Sequence, residues 1–133
     1  MTDAPAFDRP AVAAALRAGG IIDITTTGRQ TGEPRRIEIV FFHLDGHTWI
    51  TGLPGRRSWL ANLEADPRMT FHLKRGPIAD LPATARVITD APTRRAILTQ
   101  VTSAWNRESQ LEAFVAGSPL IEVTFDDPSL LDA

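Results

Sequence analysis

The chain has 133 residues, of which 43% are hydrophobic and 23% charged, with a formal net charge of −2 and no cysteine. That length and composition fit one folded domain over residues 1–133 with a core of its own, and the slightly negative charge argues against wholesale nucleic-acid binding. Without cysteine, disulfides, thiolate catalysis and cysteine-ligated metal centres are excluded.

The opening Met1-Thr2-Asp3-Ala4-Pro5 lacks the basic and apolar pattern of a signal peptide. No apolar run approaches the roughly 18 residues of a membrane span, so a cytoplasmic location is the expectation. Pro10 suits the first turn of a short helix over 11–18, which Gly19-Gly20 ends. Ile21 to Thr27 is β-branched and reads as a strand. A turn rich in glycine and proline follows, then a second strand from Arg35 to His43. Asp45-Gly46 is a two-residue hairpin signal, with His47 to Thr51 as the returning strand. Gly52, Pro54 and Gly55 break the sheet before a helix over 58–65, where Ser58 is the candidate cap and Asp66-Pro67 the stop.

Arg68 to Lys74 alternates Met69, Phe71 and Leu73 with Arg68, Thr70, His72 and Lys74, the period of a half-buried strand with His72 on its polar face. Gly76-Pro77 and Pro82 interrupt, and Ala83 to Thr89 reads as the next strand. Helices are expected from Pro92 to about Asn106 and from about Glu108 to Ala116, and a last strand over 120–125. Six strands with antiparallel hairpins in front and several helices indicate an α+β fold built on a meandering sheet or small barrel.

Two segments carry chemistry. In Thr25-Thr26-Thr27-Gly28-Arg29-Gln30-Thr31-Gly32-Glu33-Pro34-Arg35-Arg36, two glycines, three arginines and several hydroxyls fall within a dozen residues. Gly28 and Gly32 allow backbone N–H groups to turn toward an anion while guanidinium groups close on it. The same composition also suits an ordinary hairpin loop with a solvated basic rim. On the strand that follows, Arg35, Ile37, Ile39 and Phe41 share one face and Arg36, Glu38, Val40 and Phe42 the other, so only one of the adjacent arginines can face a site. The second segment, Gly52-Leu53-Pro54-Gly55-Arg56-Arg57-Ser58-Trp59-Leu60-Ala61-Asn62-Leu63, feeds a loop into a helix N-terminus, a favourable anion site. Trp59 and Asn62, three apart, share a helix face that suits a flat ring; a core tryptophan beside a surface asparagine is the competing reading.

His43 and His47 flank the hairpin turn without an evident third ligand, so a metal centre is not expected. No Gly-x-Ser-x-Gly elbow, phosphate-binding Walker loop or Gly-x-Gly-x-x-Gly occurs. Redox chemistry would therefore need a borrowed electron carrier.

The paired motifs Thr26-Thr27-Gly28-Arg29-x-Thr31-Gly32-x-Pro34-Arg35 and Trp59-x-x-Asn62-Leu63-x-x-Asp66-Pro67-Arg68-x-Thr70 resemble the deazaflavin-dependent nitroreductase family of the split β-barrel flavin-binding superfamily. The resemblance covers about Ile22 to Lys74. It implies a six-stranded antiparallel split β-barrel flanked by helices, binding coenzyme F-420, with FMN as the alternative cofactor. Carried over by position, it assigns the cofactor's phosphate and tail to Arg29, Thr31, Gly32 and Arg35, together with Gly55, Arg56, Arg57, Trp59 and Asn62. Gln30 and the short Arg56-Arg57 loop depart from the family pattern, in which basic residues and a longer lysine–glycine loop are common. Nitro-reducing members carry tyrosines near the substrate, and this chain has none. Ser103, Trp105, Asn106 and Ser109 stand in the comparable region as substrate-pocket candidates, and no catalytic proton donor is identified. The implied reaction is hydride transfer to an electron-poor small molecule such as a quinone or enone. A non-catalytic module holding a cofactor, lipid or haem is the competing class, and a homodimer is consistent with the superfamily.

Overall fold

In the computed structural model, which describes residues 8–132, the chain runs α1 (Arg9–Ala18), β1 (Gly20–Thr27), β2 (Pro34–Leu44), β3 (His47–Thr51), α2 (Ser58–Ala65), β4 (Arg68–Leu73), β5 (Ala79–Val87), α3 (Ala91–Ala104), α4 (Leu111–Gly117) and β6 (Leu120–Phe125). The segment Met1 to Pro5 discussed above lies outside the described residues. The strands close a barrel in the order β1-β2-β3-β6-β5-β4, every pair antiparallel. Period-two burial drives the closure. On β5, Ala79, Leu81, Ala83 and Ala85 point inward while the residues between them are exposed. Small alanines there leave room for Phe41, Phe71 and Phe125, which meet edge to face inside the barrel with centroids 5.0 and 5.1 Å apart.

Helix α1 is capped by the Asp8 carboxylate, which accepts from Ala11 N at 3.2 Å, and it buries Val12 and Leu16 in that core. A second cluster forms where α3 and α4 cover β3, around Trp49, Leu98, Val101 and Phe114. Arg94 joins these elements. Its guanidinium donates to the carbonyls of Ile88 (3.0 Å), Phe114 (3.3 Å), Val115 (2.9 Å) and Ser118 (2.7 Å), satisfying the last turn of α4, and burial lowers its pKa. Among the described residues no helix is long and apolar enough to cross a membrane.

Three expectations need correction. Strand β5 begins at Ala79 and runs through Pro82. The Pro82 ring is exposed, and its carbonyl accepts from Asp126 N just beyond β6, so the missing N–H falls at the frayed end of the β5–β6 ladder. Ser58 is the first residue of α2 and not its cap; Arg57 holds the cap position without a side-chain bond. His72 is only 7% exposed despite its place on the outer face. Its ring is held between Thr25 Oγ1 at 2.7 Å and Asp80 Oδ1 at 2.6 Å.

Candidate functional site

The barrel is split along β2. Only Phe41 to Leu44 pair with β3, whereas Pro34 to Val40 pair with β1 on one side alone. The other edge of that stretch faces a trench made of three adjoining cavities, of about 360, 510 and 330 Å³. Ile37 and Trp59 line both the first and the second, and Leu53 and Trp105 both the second and the third. An unpaired strand edge offers alternating backbone donors and acceptors, which suits a planar heterocycle lying along it.

The first cavity is built by the glycine–arginine turn and the start of α2. The turn closes on itself: Gly28 N donates to Glu33 O and Gly32 N to Gly28 O, each at 2.8 Å. These N–H groups are thus engaged within the turn and do not face an anion as the composition led us to expect. Gly32 takes φ 73, and a Cβ on Gly28 would stand 2.8 Å from Thr31 Oγ1, so both positions need glycine to make the turn this tight. Thr31 lines the cavity, but its hydroxyl is engaged within the turn, accepting from Glu33 N at 3.1 Å and from Arg35 Nη2 at 3.4 Å.

The cationic groups come from side chains. Arg35 lines the cavity, whereas Arg36 on the opposite face pairs with Asp23 at 3.0 Å, the division strand geometry requires. Arg29 also lines the cavity and is held there by Asn62, whose Oδ1 accepts from Arg29 N and Arg29 Nη1, both at 3.1 Å. The Asn62 amide donates at 3.1 Å to Thr26, itself buried at the inner end of β1. Asn62 is only 4% exposed, so it is neither a surface residue nor a free amide waiting for a ring; it positions Arg29. Among the described residues neither Arg29 nor Arg35 pairs with a carboxylate. Ser58 and Trp59 bring the uncapped first turn of α2 to the same cavity, adding unpaired N–H groups and the positive end of the helix dipole.

Arg57 lines the second cavity but folds over its own loop, donating to Leu53 O at 2.8 Å and Arg56 O at 3.1 Å. It braces the turn at Gly55, whose added Cβ would lie 3.0 Å from Arg57 Nη1. Arg56 is exposed and lines none of the three cavities. Among the described residues Glu38 is the one carboxylate residue lining the trench. Lys74 engages it at 2.5 Å while reaching Asp23 at 2.6 Å. The bond from Lys74 holds the Asp23 carboxyl below the usual carboxylate range, with Arg36 adding to it against the cost of burial. The same pairing raises Lys74.

Of the four substrate-pocket candidates the structure brings only Trp105 to the trench. Ser103, Asn106 and Ser109 are exposed and line none of its cavities. Asn106 has a structural task instead. At φ 55 it terminates α3 in a Schellman turn, with Arg107 N donating to Thr102 O at 2.7 Å and Asn106 N to Ser103 O at 3.2 Å. His43 and His47 are diagonal across the hairpin, and His47 bonds Glu122.

A closed six-stranded antiparallel barrel opened along one strand edge, with guanidinium groups at one end of the gap and indole rings farther along it, is a split β-barrel. The chain belongs to the F420H(2)-dependent quinone reductase family, whose model matches residues 8–113. That family is one of oxidoreductases, and coenzyme F-420 is its cofactor. Similar solved structures include the conserved hypothetical protein Rv2991 of Mycobacterium tuberculosis, 13% identical, covering 91% of this chain and 82% of that one, TM-score 0.73. The F420-H2 dependent reductase FDR-A is 19% identical over 79% of this chain and 94% of its own, TM-score 0.57. General Stress Protein 26 of Bacillus anthracis is 14% identical over 89% and 88%, TM-score 0.64. At these identities the likeness shows the fold. No curated protein matches the sequence.

Proposed function

We propose that the trench holds coenzyme F-420 and that the protein reduces electron-poor small molecules, quinones and enones above all. The observation that carries this is the donor set of the first cavity. Two guanidinium groups without carboxylate partners converge there with an uncapped helix N-terminus, next to a slot walled by Ile37 and Trp59. That arrangement fits a ligand with an anionic tail and a flat, weakly polar ring. Arg29 and Arg35 would hold the phosphate-bearing tail, and the open edge of β2 between Trp59 and Trp105 would hold the ring.

In its reduced form the deazaflavin supplies a hydride, and the acceptor takes up one further proton to leave as the two-electron product. The chain's own contribution is positioning and exclusion of water. Trp59 is 6% exposed and Trp105 is packed edge-on against Phe42, so neither wall yields easily. Thr51, the hydroxyl residue lining the second cavity, donates to Pro119 O at 2.5 Å and is not free to protonate an acceptor. The further proton is taken from bulk solvent as the product leaves the slot.

Replacing Arg35 tests the reading. Arg35→Ala should weaken F-420 binding by about 1.5–3 kcal/mol, the range of a hydrogen bond to a charged group. Unchanged affinity at low salt would remove Arg35 from the site.

A further inference from the structure

The third cavity lies at the end of the trench away from Arg29 and Arg35 and is lined by Leu53, Trp105 and Arg107. We propose that this corner is an acceptor subsite selective for planar, electron-poor rings that carry a negative charge. The proposal rests on the assignment of the trench to F-420 and adds what the acceptor looks like.

Packing fixes the Trp105 ring, and the backbone sets where the Arg107 side chain starts. Trp105 is half-buried, held edge-on by Phe42 at 5.3 Å and Phe114 at 6.2 Å between centroids, and it lines the second and third cavities alike. A ring against it therefore lies next to the slot assigned to the deazaflavin. Arg107 is set in place by the Schellman turn that ends α3, through its N–H to Thr102 O at 2.7 Å.

Charge sets this arginine apart from those paired on the surface. Arg9, Arg36, Arg68, Arg86 and Arg95 each pair with a carboxylate on the surface. Arg107 has no carboxylate within ion-pair distance among the described residues, and its Nη1 donates at 3.2 Å to the neutral Gln110 amide oxygen. Among the described residues Arg29, Arg35 and Arg57 along the same trench also lack a carboxylate partner, and Glu38 is already neutralised by Lys74. A protein of net charge −2 thus presents a cationic trench, which concentrates anions inside it. A neutral acceptor would gain nothing from a guanidinium at the lip, whereas a sulfonate, carboxylate or ionised hydroxyl on the ring would.

The test compares 1,4-naphthoquinone-2-sulfonate with neutral 2-methyl-1,4-naphthoquinone as acceptors for the full chain with reduced F-420. Arg107→Gln should raise KM for the sulfonate about fivefold, the upper range for an exposed ion pair, with a much smaller change in KM for the neutral quinone. Arg107→Lys should restore part of the loss, and the wild-type preference should shrink in about 0.5 M salt. Equal KM changes for both quinones, or none for the sulfonate, would overturn the proposal. Calorimetric binding of naphthalene-2-sulfonate, with and without oxidised F-420, does not depend on turnover. Weaker binding to Arg107→Gln supports the subsite, and equal binding to both proteins contradicts it. Arg107-dependent binding without any F-420 binding would defeat the reductase reading and leave the subsite standing.

Discussion

Asn62→Asp separates the positioning of Arg29 from its charge. The substitution is isosteric and keeps an oxygen where Asn62 Oδ1 accepts from Arg29 N and Nη1 at 3.1 Å. It replaces the amide that donates to Thr26 Oγ1, but that hydroxyl can rotate to donate to the new carboxylate. The turn should therefore stay in place while a fixed negative charge now neutralises Arg29 and faces any anion in the first cavity. The lost charge-assisted contact is worth about 1.5–3 kcal/mol, roughly a 10- to 150-fold weaker F-420 Kd. Asn62→Ala differs: it also removes the restraint on Arg29 and leaves the part-buried Arg29 N and the buried Thr26 hydroxyl without their partner, so it should lower stability by about 1–3 kcal/mol as well. Fluorescence titration of F-420 at low ionic strength, paired with thermal melts, reads both quantities. An Asn62→Asp protein that melts like wild type and binds F-420 with unchanged Kd would refute the claim that Arg29 meets the anion.

Two further predictions concern the scaffold. Arg94→Met takes the guanidinium away from four carbonyls at the α3–α4–β6 junction, of which Phe114 O keeps the Ser118 N–H, and should cost about 2–4 kcal/mol, roughly 10 °C in Tm, with F-420 affinity of the folded protein unchanged. An unaltered melt would show that water replaces the guanidinium there. The cluster of Asp23, Lys74, Glu38 and Arg36 gives stability a pH plateau. Asp23 is held below its ordinary 3.8, so its contribution is present above that value and is lost as pH falls through the lower folded pKa. Lys74 is raised above its ordinary 10.5, so its contribution is present below that value and is lost as pH rises through the higher folded pKa. Denaturant midpoints should be flat at neutral pH and fall at both extremes, and Lys74→Met should blunt both declines; identical profiles would discount the cluster.

Much of the barrel was legible because local chemistry and burial agree. The Asp45-Gly46 hairpin, the β-branched run of β1 and the apolar alternation of β4 each sit where sequence pattern puts them. The start of β5 was not, because a proline inside a strand is tolerated only where a ladder frays, and fraying is a property of the neighbouring strand. The anion site shows the same limit. Arg29 and Arg35, the arginines the family resemblance singled out, both line the first cavity, whereas strand geometry alone left open which of Arg35 and Arg36 would do so. The turn glycines serve by closing the turn and not by pointing N–H groups outward. Asn62 and Arg57 act on the protein's own backbone, a role that depends on partners distant in sequence, 33 residues away in the case of Arg29. Ser103, Asn106 and Ser109 look like pocket residues by type, yet the Schellman turn at Asn106 directs the chain so that Trp105 and Arg107 reach the trench instead.

The central claim is that the cationic, open-edged trench is an F-420 site. Titrating the purified protein with oxidised F-420 and, separately, with FMN tests it most directly, with Arg35→Ala as the site control. F-420 binding should be saturable and should weaken in the variant and in salt. Micromolar FMN binding without any response to F-420 would contradict it.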